Sequence, residues 1–156
     1  ITVTTADDML SACQLVMTDD SDSIFIATAA VADYKVANIA SQKIKKTSNQ
    51  DDLTLALIKN PDILATISHT FPNAVMVGFA AETQDSENYA HAKLIAKNLD
   101  MIAVNDVSDK SIGFGSDDNA MTVFFAKHYG MDKMVLDKAS KESIAKSLVE
   151  CVARII

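Results

Sequence analysis

The sequence predicts an α/β fold of three layers, α/β/α, in which a mostly parallel sheet lies between helices and a β-hairpin stands near the C-terminal end. Three observations predict it. Short apolar runs alternate with stretches of helical spacing along the chain, the pattern of repeated strand–helix–strand units. The runs at 23–31, 74–80 and 101–104 are mostly apolar and rich in branched residues, as strands covered on both faces are. Two further strand-like runs flank Tyr129-Gly130, as antiparallel strands joined by a turn do.

Each element has a local reason. Thr5-Ala6-Asp7-Asp8 has the form of a capping box with Asp in place of Glu, and Met9, Leu10, Cys13, Val16 and Met17 follow at helical spacing, so a first helix runs to about Thr18. The apolar run from Ser23 to Val31 predicts a central strand that ends at Ala32-Asp33-Tyr34. From Lys35 to about Asp52 the chain lacks a period and is polar, which predicts a long loop. Leu53 to Ile58 alternates as a strand, and Asn60-Pro61-Asp62 then starts a helix with Asn60 as cap, Pro61 in the first turn and an acid at the positive end of the dipole. Ile63, Leu64 and Ile67 give that helix its inner face.

A buried-type strand is expected at Ala74–Ala80, a helix from Asp85-Ser86-Glu87 with Tyr89, Ala92, Ile95, Ala96 and Leu99 on its inner side, and a strand at Met101–Val104. Met121–Phe125 and Lys133–Leu136 form the hairpin. Ser140 caps a last helix with Ile144, Leu148, Val152 and Ile155 as its stripe.

Composition bounds the function. The 156 residues are 49% hydrophobic and 22% charged, enough for one domain with a core, and they contain no internal repeat. A net charge of −7 repels phosphate backbones and anionic membranes, which argues against general nucleic-acid binding. Cys13 and Cys151 have no CxxC spacing, so neither zinc nor a disulfide framework is indicated and a reducing, cytoplasmic setting is expected. No stretch of about 18 apolar residues exists to span a bilayer. Ile1 already lies within the alternation Ile1-Thr2-Val3-Thr4, so the chain is expected to begin partway through a domain.

In open α/β sheets ligands gather at the carboxyl ends of strands. Four such ends carry polar residues: Asp33 with Tyr34, Asn60 with Pro61 and Asp62, Glu82 with Thr83, and Asn105 with Asp106. Asp33 suits a group that orients a metal, a ribose or a base edge, or else a simple turn. The helix start at Asn60 offers unpaired N–H groups to an anion or a base. Lys43-Ile44-Lys45-Lys46 concentrates positive charge in an acidic chain, and Lys93 and Lys97 stand four apart on a helix, where like charges repel unless an anion relieves them. His69, His91 and His128 share no metal-ligand spacing and are expected at the surface or near caps. No GxSxG, HExxH, Walker A or GxGxxG pattern is present, which disfavours an NAD(P)-dependent reductase, and Gly113-Phe114-Gly115 follows a turn.

Read in order, five blocks resemble the phosphopantothenoylcysteine synthetase family, the phosphopantothenate–cysteine ligase half of bacterial bifunctional coenzyme A biosynthesis proteins. They are Ala29-Ala30-Val31-Ala32-Asp33-Tyr34, Lys43-Ile44-Lys45-Lys46, Lys59-Asn60-Pro61-Asp62-Ile63-Leu64, Gly78-Phe79-Ala80-Ala81-Glu82-Thr83, and Lys97-Asn98-Leu99-Asp100 leading to Asn105-Asp106. The resemblance implies a single ligase domain over residues 1–156 with a Rossmann-like sheet, lacking the family's N-terminal glycine-rich segment. It implies CTP-dependent ligation of 4'-phosphopantothenate with L-cysteine through an acyl-cytidylate, with Mg2+ accompanying the triphosphate on ligands the sequence does not assign, and no flavin in this domain.

In the family's pattern Ala27, Thr28 and Ala29 with Asp33 face the nucleotide. Pro61, Asp62, Ile63, Leu64 and Phe79 line the cytidine side, with Asn60 beside them. Lys93 and Lys97 reach the phosphates, and Lys43, the expected catalytic residue, sits on a flap that closes over the reacting groups. The resemblance further implies a homodimer through the C-terminal hairpin, and a parent that is either fused to an upstream flavin-dependent decarboxylase or free-standing. The competing expectation is a nucleotide-binding or dimerising fragment without turnover.

Overall fold

The computed structural model describes residues 1–19, 23–45, 52–82, 85–106 and 116–156. The elements are α1 (Ala6–Asp19), β1 (Ile24–Ile26), β2 (Tyr34–Val36), β3 (Leu57–Lys59), α2 (Ile63–Thr70), β4 (Val75–Glu82), α3 (Ser86–Ala96), β5 (Met101–Asp106), β6 (Asp118–Phe125), β7 (Met134–Ser140) and α4 (Lys141–Val152). One sheet has the order β1-β4-β5-β6-β7; β1, β4 and β5 run parallel, β6 is antiparallel to β5, and β7 is antiparallel to β6. All but β6 therefore point the same way, the mostly parallel sheet the sequence predicts. Among the described residues no helix is long and apolar enough to cross a membrane.

Strand alternation sorts the core into two layers, since successive side chains leave opposite faces. Met76, Ile102, Val104 and Phe124 pack with Met17 of α1, Ile63 and Ile67 of α2 and Leu94 of α3. Val77, Met101, Ala103, Val123 and Phe125 pack with Ile144, Cys151 and Val152 of α4. Gly78 shows how close the first layer comes: a Cβ there would meet Leu99 Cδ1 at 2.9 Å and Leu64 Cδ2 at 3.0 Å.

The local signals at the two ends of the chain hold. Thr5 Oγ1 accepts the Asp8 N–H at 3.0 Å while the Thr5 N–H donates to Asp8 Oδ2 at 3.1 Å, a capping box closed by aspartate. Ser140 Oγ accepts the Ser143 N–H at 3.3 Å, and Ile144, Val152 and Ile155 are buried with Leu148 against them. Gly130, at φ 63°, closes a short 3-10 turn over Lys127–Tyr129 between the hairpin strands.

Several expectations are corrected. β1 has three residues rather than the nine of 23–31, and among the described residues it pairs only with β4, so Ile24 and Ile26 stay about two-fifths exposed. Thr28 N–H turns back to the Ile26 carbonyl, and Ala29 to Ala32 leave the sheet to wall a cavity; an apolar run alone does not separate those two fates. The long loop expected from Lys35 begins inside β2, which pairs antiparallel with β3 as a separate ribbon, and the strand expected at 53–58 contracts to Leu57–Lys59. Val16 is exposed on α1. On α3 the buried residues are Ala90 and Leu94, whereas Tyr89, Ala92, Ile95 and Ala96 face solvent; only Leu99, beyond the helix, is buried as expected. The small Ala90 brings that face against the sheet.

Val123, Phe124 and Phe125 of the hairpin are buried, because β6 lies between β5 and β7. Among the exposed apolar side chains, Tyr34, Val36, Ile39, Ile44, Leu53, Leu55, Leu57 and Ile58 lie on the ribbon and the chain around it, whereas others, Val135 of β7 among them, are spread over the rest of the surface.

Candidate functional site

A cavity of about 520 Å3 opens at the carboxyl ends of β1 and β4, over the start of α2. Its position follows from the topology: the chain leaving β1 and the chain entering α2 come from distant sequence but meet over one strand end. Asn60 joins them. Its Nδ2 donates to the Ala32 carbonyl at 2.8 Å and its backbone N–H to the Asp33 carbonyl at 2.8 Å. Ala27 N–H, bonded to the Val77 carbonyl at 2.9 Å, carries the β1–β4 pairing to the cavity floor.

Asn60 is not the cap of α2. That role belongs to Asp62, whose extended backbone and side-chain oxygen satisfy the Ala65 N–H at 3.1 Å, with Pro61 standing before the cap rather than in the first turn. The other Asp62 oxygen, Oδ2, pairs with Lys97 Nζ at 2.9 Å. Burial pushes the Asp62 carboxyl up, but the hydrogen bonds from Lys97 and from Ala65, with the lysine's charge, outweigh it and hold the group below its ordinary value.

Of the expected site residues, Ala27, Ala29, Asp33, Asn60, Pro61, Asp62, Ile63, Leu64, Phe79 and Lys97 line this cavity. Thr28, Lys43 and Lys93 do not. Thr28 is exposed between two lining alanines, Lys43 is exposed on the segment after the ribbon's first strand, and Lys93 is half-buried one turn before Lys97. Lys46, Thr83 and Gly113-Phe114-Gly115 lie outside the described residues. The other strand end, Asn105, carries a buried Oδ1 with no donor among the described residues.

Tyr34, named as a strand-end residue, and Ala30, Val31, Ala32 and Lys59, which stand in the ordered blocks without an assigned role, also line the wall, as do Met9 and Phe25, which the site reading missed. Lys59, directly before Asn60, carried a signal in its charge and position. Met9 and Phe25 carried none, since each reads as an ordinary core residue. The histidines stand away from the cavity. His69 Nδ1 lies 2.6 Å from the Ala65 carbonyl, His91 packs edge-on to Phe124, and His128 Nε2 lies 3.7 Å from Asp100.

Chemically, the cavity joins a wall of small alanines, which lets a flat ligand approach the backbone, to the ring of Phe79, the cations Lys59 and Lys97 and the carboxylates Asp33 and Asp62, the last paired with Lys97. Such a lining suits a planar base carrying an anion. A protein-built Mg2+ site does not fit it. Among the described residues no three His, Cys, Asp or Glu side chains come together, and both oxygens of Asp62 are engaged.

The family described as DNA/pantothenate metabolism flavoprotein C-terminal domain, DFP, matches residues 1–156. The chain belongs to the DFP family. Among its relatives, the coenzyme A biosynthesis bifunctional protein CoaBC of Vibrio cholerae serotype O1 is 48% identical over 133 residues, 85% of this chain and 32% of that protein. This DFP chain thus spans about a third of the length of the curated relative it matches. The crystal structure of the C-terminal domain of a CoaBC protein superposes with a TM-score of 0.72 at 28% identity, covering 97% of this chain and 63% of that one. A Cab2 variant solved with phosphopantothenate-cysteine shares the fold, with a TM-score of 0.66 at 17% identity over 99% of this chain and 53% of its own. The resemblance seen in the five blocks and the α/β architecture agree with these relatives.

Proposed function

We propose that this DFP chain carries the ligase chemistry of coenzyme A biosynthesis: CTP-dependent joining of 4'-phosphopantothenate to L-cysteine through an acyl-cytidylate. The observation that carries the reading is the single cavity lined together by Asp33, Asn60, Phe79 and Lys97, residues from four blocks far apart in sequence. The relatives' bifunctional CoaBC name and the phosphopantothenate-cysteine bound in the Cab2 structure support the pathway and the product.

In the proposed reaction a carboxylate oxygen of phosphopantothenate attacks the α-phosphorus of CTP. A carboxyl-oxygen-to-phosphorus bond forms, the bond to the bridging oxygen of the β-phosphate breaks, and pyrophosphate leaves with the electron pair. Two anions approach each other in this step, so cations that screen repulsion and meet the developing charge lower the barrier. Lys97 is such a cation at the cavity wall; Lys93 and Lys43 are proposed to join it as the ligand draws the surrounding chain in. Cysteine's amine then attacks the acyl carbon, CMP leaves with the electron pair of the carbon–oxygen bond, and the amine gives up a proton. Mg2+, where required, enters on the triphosphate.

The assay is pyrophosphate release from CTP on addition of phosphopantothenate, followed by CMP and amide formation on addition of cysteine. Both are expected from this chain; no pyrophosphate from the folded chain sinks the reading. Lys43→Ala is expected to lower turnover about tenfold or more while CTP affinity changes little, because a flap contact tightens only as the α-phosphate reacts. Equal losses in both constants count against the flap.

A second reading, a nucleotide-binding or dimerising fragment, is favoured by one observation: β1 has a single described neighbour and leaves Ile24 and Ile26 exposed. CTP binding by calorimetry without pyrophosphate release from this chain alone identifies it. For the homodimer, the proposed contact is the C-terminal hairpin, where Val135 of β7 is exposed, with the apolar side chains of the β2–β3 ribbon as a second exposed surface. Light scattering that finds only monomer across micromolar concentrations contradicts it. A cytoplasmic location and an upstream decarboxylase fusion belong to the same reading.

A further inference from the structure

Asp62 divides one carboxylate between two partners. Oδ1 accepts the Ala65 N–H at 3.1 Å and fixes the first turn of α2, while Oδ2 holds Lys97 Nζ at 2.9 Å. Lys97 is the C-cap of α3, so this pair ties the end of one helix to the beginning of another across the cavity. A lysine is normally drawn toward the negative, C-terminal end of its own helix and repelled by the positive, N-terminal end of a neighbour. Lys97 reaches α2's N-terminal end nonetheless, and the Asp62 carboxylate is what makes that position favourable. An ammonium has three donors, so one hydrogen bond to Asp62 leaves two for another anion.

We propose that Asp62 is a positioning residue for the ligation: its Oδ2 anchors the Lys97 ammonium at the cavity wall, so that an incoming nucleotide phosphate meets a cation already in place. The inference rests on the CTP reading above. A flexible lysine stem loses freedom when it grips a ligand, and an anchor that orders it beforehand removes part of that loss from binding.

Asparagine and serine cap helices about as well as aspartate but carry no charge, so they separate the two duties of Asp62. Calorimetric CTP titration of the wild-type chain, Asp62→Asn, Asp62→Ser, Lys97→Gln and the Asp62→Asn/Lys97→Gln pair, with a thermal melt of each, tests the inference. Asp62→Asn and Asp62→Ser are expected to weaken CTP binding about threefold to tenfold with little loss of melting temperature, and Asp62→Asn is expected to add nothing once Lys97 is gone. CTP binding unchanged in both Asp62 variants, or an equal loss from Asp62→Asn with and without Lys97, overturns the inference. So does unfolding of both capped variants, which assigns the pair to stability. If Lys97→Gln weakens CTP and the Asp62 variants do not, the CTP reading survives and this inference alone falls. A folded wild-type chain that binds no CTP removes both.

Discussion

Two aspartates at opposite ends of the sheet use the same geometry for different ends. At the carboxyl end Asp62 gives one oxygen to the Ala65 N–H and the other to Lys97. At the amino end Asp100 gives Oδ2 to the Met76 N–H at 2.8 Å and Oδ1 to the Tyr129 hydroxyl at 2.8 Å. The difference lies in the second partner. A hydroxyl can reverse its role and accept a hydrogen bond; an ammonium cannot. Asp100 therefore serves as a lock between strand β4 and the turn of the hairpin, and that lock does not require charge. The Asp62 pair does, and charge held at a cavity wall is useful to a ligand in a way that a neutral lock is not.

The largest expected effect comes from removing the lock. Asp100→Ala leaves the Met76 N–H without an acceptor in a residue that is 1% exposed, at a cost of about 1–3 kcal/mol by urea denaturation. Asp100→Asn is expected to cost less than about 1 kcal/mol, because its oxygen can keep the Met76 N–H while its amide donates to the Tyr129 oxygen. An Asp100→Asn loss as large as that of Asp100→Ala breaks the comparison, since it makes charge as necessary here as at Asp62.

A smaller effect is expected at Asn60. Because Asp62 rather than Asn60 caps α2, Asn60→Ala removes only the bond to the Ala32 carbonyl, worth about 0.5–1.5 kcal/mol, and leaves the helix intact. CTP binding is expected to weaken with it, as the chain leaving β1 loosens from the start of α2. A loss of helical circular dichroism together with stability returns the cap to Asn60 and is the result that counts against this assignment.

These residues also mark how far the sequence could be read. The capping box, the Ser140 cap, the hairpin and the stripe of α4 were legible because their causes lie within a few residues: Thr5 with Asp8, Ser140 with Ser143, Ile144 with Val152. The length of β1, the ribbon and the inner face of α3 were not. Ala29 to Ala32 have the composition of a buried strand and serve as a cavity wall, and α3 buries the small Ala90 with Leu94 rather than the larger Tyr89 and Ile95, which composition alone does not foretell. The site was legible as ordered blocks, through resemblance, and most of those residues do line one cavity. Neither the hold of Asn60 on Ala32 nor that of Asp62 on Lys97 was visible, since each joins residues about thirty positions apart by contacts no local pattern encodes.

The smallest effect at neutral pH sharpens the contrast from the other side. Burial, then the hydrogen bond to Asp100 and the negative charge of that carboxylate, push the Tyr129 hydroxyl up to about 12 from its ordinary value of 10.0. The folded chain thus keeps this proton to about pH 12, while the unfolded chain releases it near pH 10. Between those values the folded state binds more protons, so stability falls as pH rises through the window and is fully present below it. Tyr129 remains partly open to solvent, which screens the effect. Urea midpoints measured from pH 9 to pH 12 are expected to decline in the wild type and to decline less in Tyr129→Phe, with Asp100→Asn between them because it keeps a neutral partner but loses the charge. Identical slopes for all three chains remove the hydroxyl from the lock and leave the Met76 N–H as its whole content.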